Sequence, residues 1–477
     1  MKKLLTALFA IVALSVNAQI PQQGDTLRVT TNDGQQHNYL FGNIKNLEFS
    51  DDSKVFINFY DNTFVGYQMN DVKSFRFYNR WSNPDVLLKA EYTGAYEGLF
   101  TTTVVPYGLL PMVSGLASDE MLGGGGLMDS ENFATDLLAP AAYPKNIVWE
   151  AYYTAIGNVN NAIVQLKSMP AEVQKSDVDH AHGEALFLRA YYYTQLASIF
   201  GPVPVIINGT WEERMATPTA EAVWGQILLD LKNAITLMEG YSPTLTSDDS
   251  RVGKYAAEAL LARSFLFYTG FYQGIHDIAA NDASVQLPDG STLTKNDVIA
   301  YINDCVDNSG FTLVKDFRNL WPYTNRLTVE DYSYTQGQGL KWVEDDGAVN
   351  PEVLFKIKYS NRASWSTSTG YSNRMALYLG MRNQSLSYTF PFGQGWGAGP
   401  VSPAFYDEWS HAEPDDMRRN ASIQNVSELP QYTFGTMRDE VQETMYHEKK
   451  NSPISCKEGE YNYVYNFETI MFGANDS

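Results

Sequence analysis

Cysteine is nearly absent: Cys305 and Cys456 are the only two in 477 residues, too few for a fold held by disulfides, although one bridge between them is open. Basic residues are also scarce. Lys and Arg number 34 against 55 Asp and Glu, a net charge of −21, so the chain lacks an electrostatic grip on a phosphate backbone and nucleic acid is excluded as a partner. Beyond the first residues no apolar run reaches the about 20 residues that cross a bilayer, so no membrane-spanning helix is expected. Catalytic signatures are missing too. There is no Gly-x-Ser-x-Gly, His-Glu-x-x-His or Cys-x-x-Cys, and glycines 123–126 are not followed by the Gly-Lys-Ser or Gly-Lys-Thr of a phosphate loop. No catalytic residue, metal or cofactor is therefore expected.

What is present is apolar and aromatic: 44% hydrophobic and 13% aromatic residues exclude a disordered chain and require a large core. The start reads as an export signal over 1–18, with Lys2 and Lys3, an apolar run from Leu4 to Leu14, and Val16-Asn17-Ala18 before a mature start at Gln19. Losing the two lysines takes the mature charge to −23.

Residues 19–80 read as a small β module built by duplication. Leu27-Arg28-Val29 matches Val55-Phe56-Ile57, Asp33-Gly34 matches Asp61-Asn62, and Ile44 to Phe49 matches Val72 to Phe77, all displaced by 28. Alternating apolar residues around these turns predict two strand-turn-strand units. From Asn83, a candidate N-cap followed by Pro84, the pattern over 81–477 becomes helical. A second repeat lies here: Glu184 to Arg189 recurs as Glu258 to Arg263, displaced by 74, and Asn161-Ala162-Ile163 recurs as Asn233-Ala234-Ile235, displaced by 72. Two tetratricopeptide-like helix pairs follow, at about 145–169 with 179–200 and about 218–239 with 253–272, and one more helix at about 293–307. The text after 273 otherwise predicts long irregular loops, which usually carry function.

His180, His182 and Glu184 could suggest a metal, but residues two apart on a helix face different sides, so a solvated helix start is expected. The carboxylate pairs Asp119/Glu120, Asp345/Asp346 and Asp415/Asp416 would suit a glycosidase only at about 5 to 10 Å across a sugar. Sequence proximity alone points to solvated surface. More informative are loop aromatics: Trp321, Tyr323, Trp342, Trp365 and Trp396. Flat rings with few rotamers to freeze suit sugar rings, with core packing as the competing role.

The helical stretches resemble the SusD/RagB family of outer-membrane nutrient-binding proteins. Trp149, Tyr153, Ile156, Asn160 and Ile163 follow the family's early helix, and Gly183-Glu184-Ala185, Leu188-Arg189-Ala190-Tyr191-Tyr192-Tyr193, Leu196 and Phe200-Gly201-Pro202-Val203-Pro204 follow its best-known stretch. Further matches run from Ala256 to Tyr268, from Pro351 to Ser360, and over Pro403 to Asp407 with Asp416 to Arg419. The resemblance covers roughly 83–470 and implies a mostly α, SusD-like scaffold of tetratricopeptide-like pairs with long loops, following the β module. It departs from the family in two places: Gln19 follows Ala18 where the family carries an acylated cysteine, and the C-terminal part looks truncated. The resemblance implies a non-enzymatic surface protein that captures oligosaccharide, or peptide, and delivers it to a TonB-dependent outer-membrane transporter. It places ligand in loops that here hold Asp119 and Glu120, then Trp321, Tyr323 and Trp342, with Trp396 a further candidate. An exported glycoside hydrolase and an adhesive or structural surface protein are the competing readings.

Overall fold

The computed structural model describes residues 26–50, 52–78, 145–171, 173–208, 216–240, 251–326 and 399–429, with shorter stretches inside 88–99, 115–122, 328–357, 379–397 and 432–454. The chain forms two compact units, Met1–Glu91 with Ser168–Val178, and Tyr92–Lys167 with Asp179–Ser477.

In the first unit, strands β1 (Thr26–Thr31), β2 (Gln36–Leu40) and β3 (Ile44–Phe49) recur 28 residues later as β4 (Lys54–Phe59), β5 (Phe64–Gln68) and β6 (Val72–Tyr78). The expected turns are present, with Gly34 at φ +88° and Asn62 at φ +67°, the left-handed backbone that these residue types tolerate. The pairing goes beyond the repeat pattern. One sheet has the order β2-β1-β6 and the other β3-β4-β5, so each hairpin takes its third strand from the other repeat. Residues related by the repeat then make matching contacts: Asn32 N–H donates to Asp71 O (2.8 Å) and Tyr60 N–H to Asn43 O (3.1 Å). Tyr39 and Tyr67, also 28 apart, share a hydroxyl hydrogen bond. Leu27, Val29, Ile44 and Ile57 form the core between them.

The second unit, which holds α2 from Asp179 onward, contains the two predicted pairs, α1 (Lys145–Lys167) with α2 (Lys175–Phe200) and α3 (Ala220–Leu237) with α4 (Lys254–Phe267), and a π-helical turn at Tyr268–Tyr272 extends α4. The hairpin β7 (Ser284–Gln286) and β8 (Thr292–Thr294) leads into α5 (Lys295–Asn308). Local chemistry sets several of the ends. Thr219 caps α3 through Ala222 N–H (3.1 Å), and Thr294 with Asp297 forms a capping box on α5. Gly201, at φ +75°, ends α2 before Pro202.

The repeated motif is mostly core. On α1, Tyr152, Ala155, Ile156, Val159, Ile163 and Leu166 are buried at helical spacing. In α2 burial extends around the helix, and a Cβ on Gly183 would lie 2.6 Å from Met238 Cγ, so glycine permits close packing there. Several of its buried polar residues are paired, as burial favours. Arg189 forks onto Asp230 (2.7 Å at both oxygens) and donates to Asn160 (2.9 Å), whose amide donates to Ile206 O (2.8 Å). Glu184, fully buried, accepts from Tyr96 (2.7 Å) and from Arg251 (2.6 and 3.0 Å).

The solvated start expected at His180 is not found. Its ring is 5% exposed, with Nε2 3.3 Å from Val252 O and 3.7 Å from Glu184 Oε1, because the packed part of α2 begins earlier than the polar sequence suggests. Cys305 is a free thiol and Cys456 lies outside the described residues. Among the described residues no helix is long and apolar enough to cross a membrane.

Candidate functional site

After α5 the chain enters a loop held by its own polar groups. Asp316 accepts from Arg318 N–H (3.0 Å) and receives the Arg318 guanidinium (2.7 and 3.0 Å), which holds its carboxyl below the usual range. A short 3-10 turn, Phe317–Leu320, follows. Trp321 is extended, as the residue before a proline should be, and Pro322 opens a second turn, Pro322–Thr324. The returning segment is strapped to both turns: Lys341 N–H donates to Asn319 Oδ1 (2.9 Å), Trp342 N–H to Thr324 O (2.9 Å) and Val343 N–H to Asn319 O (2.8 Å). Three of the sequence candidates, Trp321, Tyr323 and Trp342, therefore share one loop cluster.

Their surroundings differ. Trp321 and Trp342 are half-buried, whereas Tyr323 is 2% exposed, packed with Met381, Phe392, Val426, Leu429 and Ile454. Burial pushes the Tyr323 phenol above its ordinary range. Two lysines that the sequence reading passed over complete the cluster. The buried Lys449 lies 5.7 Å from the Tyr323 ring and donates to Asn420 O (2.5 Å), and burial lowers its ammonium to about 8. The Lys450 ammonium stands 4.6 Å from the ring centres of both Phe317 and Trp321. A dibasic pair in so acidic a chain was the signal available in the sequence.

Asp119 and Glu120 are exposed in a turn in which Asp119 takes φ +60°. Glu120 O accepts from Ser402 N–H (2.9 Å), and Met121 pairs with Val401. Val401 N–H in turn donates to Tyr446 O (3.1 Å) in β10 (Tyr446–Glu448), which pairs with β9 (Ile423–Asn425). The segment 446–450 thus connects the Asp119 turn to the Trp321 loop. Tyr446 also stacks on Tyr406 of α6 (Pro403–Ala412), with ring centres 4.0 Å apart. Trp365, Trp396 and glycines 123–126 lie outside the described residues.

Of the other two carboxylate pairs, Asp345 and Asp416 have structural roles, Asp415 is exposed and Asp346 lies outside the described residues. Asp345 is 3% exposed and accepts from Arg326 N–H (2.6 Å). Asp416 caps α7 (Met417–Ser422) and is bound by Arg418 (2.7 Å), which lowers its carboxyl. Among the described residues the carboxyl raised furthest is elsewhere: Glu258, 1% exposed and pushed up to about 8 by burial and by Asp304, lies on α4 where that helix packs against α5. Among the described residues, no group of three His, Cys, Asp or Glu is arranged to hold a metal.

Residues 126–275 match a SusD-like family model described as "Starch-binding associating with outer membrane". A SusD-like protein of Bacteroides ovatus is 22% identical over 266 residues, 51% of this chain and 45% of that protein, so the chain spans about half the length of this relative. Among solved structures, surface glycan-binding protein A from Bacteroides fluxus superposes with a TM-score of 0.56 at 22% identity, over 81% of this chain and 73% of that one. Surface glycan-binding protein A from Bacteroides thetaiotaomicron, in complex with laminarihexaose, gives 0.57 at 17% identity, over 81% and 74%. At these identities the likeness is one of fold.

Proposed function

This chain is SusD-like in its helical segment and in its fold, and from that premise we propose that it captures an oligosaccharide, or a peptide, at the cell surface and delivers it to a TonB-dependent outer-membrane transporter without chemical change. The observation that carries the reading is the loop cluster that gathers Trp321 and Trp342 on the helical scaffold. Half-buried indoles offer apolar faces with little rotamer entropy to lose, and Asp119 and Glu120 would accept hydrogen bonds from ligand hydroxyls. Tyr323 would support the loop from beneath. The laminarihexaose complex of the B. thetaiotaomicron protein supports a saccharide as the class of ligand.

Export through residues 1–18 and attachment at the outer membrane belong to the same reading, as does a role for residues 19–80 as spacer or contact module. The test is a binding screen of the chain from Gln19 onward against oligosaccharide and peptide arrays, with product analysis of every hit after long incubation. Selective binding of ligand recovered intact is expected. Cleaved ligand would make the protein an enzyme, and silence from a folded sample would favour the adhesive or structural role.

A further inference from the structure

We infer that the Phe317–Trp321–Lys450 cluster is a subsite for a sugar ring bearing an anionic group, a uronate carboxylate or a sulfate ester; this rests on the capture reading above and narrows its substrate class. Lys450 is half-buried over two aromatic faces at 4.6 Å each, yet among the described residues no carboxylate, carbonyl or hydroxyl accepts from its ammonium. The neighbouring cations are already engaged. Arg318 is forked onto Asp316 (2.7 and 3.0 Å), Arg418 is held by Asp416 (2.7 Å) and Glu413 (3.4 Å), and Lys449 donates to Asn420 O (2.5 Å). Glu448 attracts Lys450 only at longer range, and Arg418 repels it.

A second donor is in the same state. The Trp321 indole N–H is buried and meets no acceptor among the described residues, which is costly for a polar group out of water. The ammonium, without an acceptor among the described residues and set over aromatic rings, calls for a ligand that brings an anionic oxygen on a ring with an apolar face. An acidic sugar does so. A neutral sugar would stack but would leave the ammonium with only its ring contacts, which are weaker than a charge-assisted hydrogen bond.

The chain's net charge of −21 does not prevent this. Charges farther away than the Debye length of about 8 Å are largely screened at physiological salt, whereas a half-buried ammonium touching a carboxylate is screened much less.

The experiment measures affinity, by calorimetry and affinity electrophoresis, for alginate, glucuronan and polygalacturonate fragments beside their carboxyl-reduced counterparts, and for sulfated galactan beside its desulfated form. Wild-type protein, Lys450→Gln, Lys450→Arg and Trp321→Ala are compared after each is shown to be folded. The expected result is that one acidic fragment binds, that removing its charged groups lowers affinity at least tenfold, and that Lys450→Gln does the same while Lys450→Arg retains most of it. The carboxyl-reduced and desulfated arms tell which anion is read. If a neutral form binds as tightly as its acidic parent, or if Lys450→Gln leaves acidic binding unchanged, the subsite assignment fails and the capture reading stands. Folded protein that binds no saccharide of either kind would remove the subsite and, with it, the saccharide form of the capture reading, leaving only peptide capture to the array screen.

Discussion

At Trp321 the indole lies beneath the Lys450 ammonium at 4.6 Å, while Tyr323, two residues on, is 2% exposed in a cluster with Phe392 and Val426. Neighbouring aromatics therefore do different work, and substitution separates them. Trp321→Ala or Trp342→Ala is expected to weaken ligand binding by about 1 to 3 kcal/mol in protein first shown to be folded, as for a stacking anchor. Calorimetric affinities equal to wild type in both variants would remove the loop cluster as the site. Tyr323→Ala acts instead on the fold, lowering stability by about 3 to 5 kcal/mol in urea denaturation, because it empties a packed site. A shift below 1 kcal/mol would contradict that. The sequence showed which residues were aromatic and in loops. It did not show which side chain faces inward, since that depends on Met381 and Ile454, far away along the chain.

At the scale of the helix, the repeat that places Glu184 on α2 places Glu258 on α4, and both are buried, but their partners differ. Glu184 is held by Arg251, whereas Glu258 faces Asp304, Tyr301 and Cys305 of α5, with Lys254 one turn before it and Glu239 beyond α3. Lys254 bridges Glu239 (3.2 Å) and Asp304 (2.7 Å), so the ammonium is already shared. Burial, and then Asp304, raises the Glu258 carboxyl to about 8, above the value of about 4.3 for an unfolded chain. The folded state thus binds this proton more tightly than the unfolded state. The resulting stabilisation is complete below about pH 4.3 and is lost as pH rises through about 8. Glu258→Gln should flatten the decline in stability across that window in urea denaturation at a series of pH values, and an unchanged slope would show that the carboxyl is not protonated in the fold.

For the whole molecule, the two units invite a deletion. Removing residues 20–79 is expected to leave ligand affinity unchanged, because the candidate loops are built wholly from residues of the second unit. A tenfold loss of affinity would give the β module a place in binding. The sequence by itself determined what is local: the helix pairs, through apolar spacing; the helix ends at Gly201, Thr219 and Thr294; the turns at Gly34 and Asn62; and the duplication itself. Each of these rests on interactions between residues a few positions apart, so the pattern is readable along the chain. Only the tertiary structure decided that β6 joins β1 while β3 joins β4, that His180 is buried, and that Lys450 comes to rest on Trp321. The physical reason is that two repeats of the same strand pattern present equivalent edges, and periodicity does not choose between them. A contact such as Lys450 on Trp321 is likewise set by the packing of distant segments, which leaves no local trace in either one.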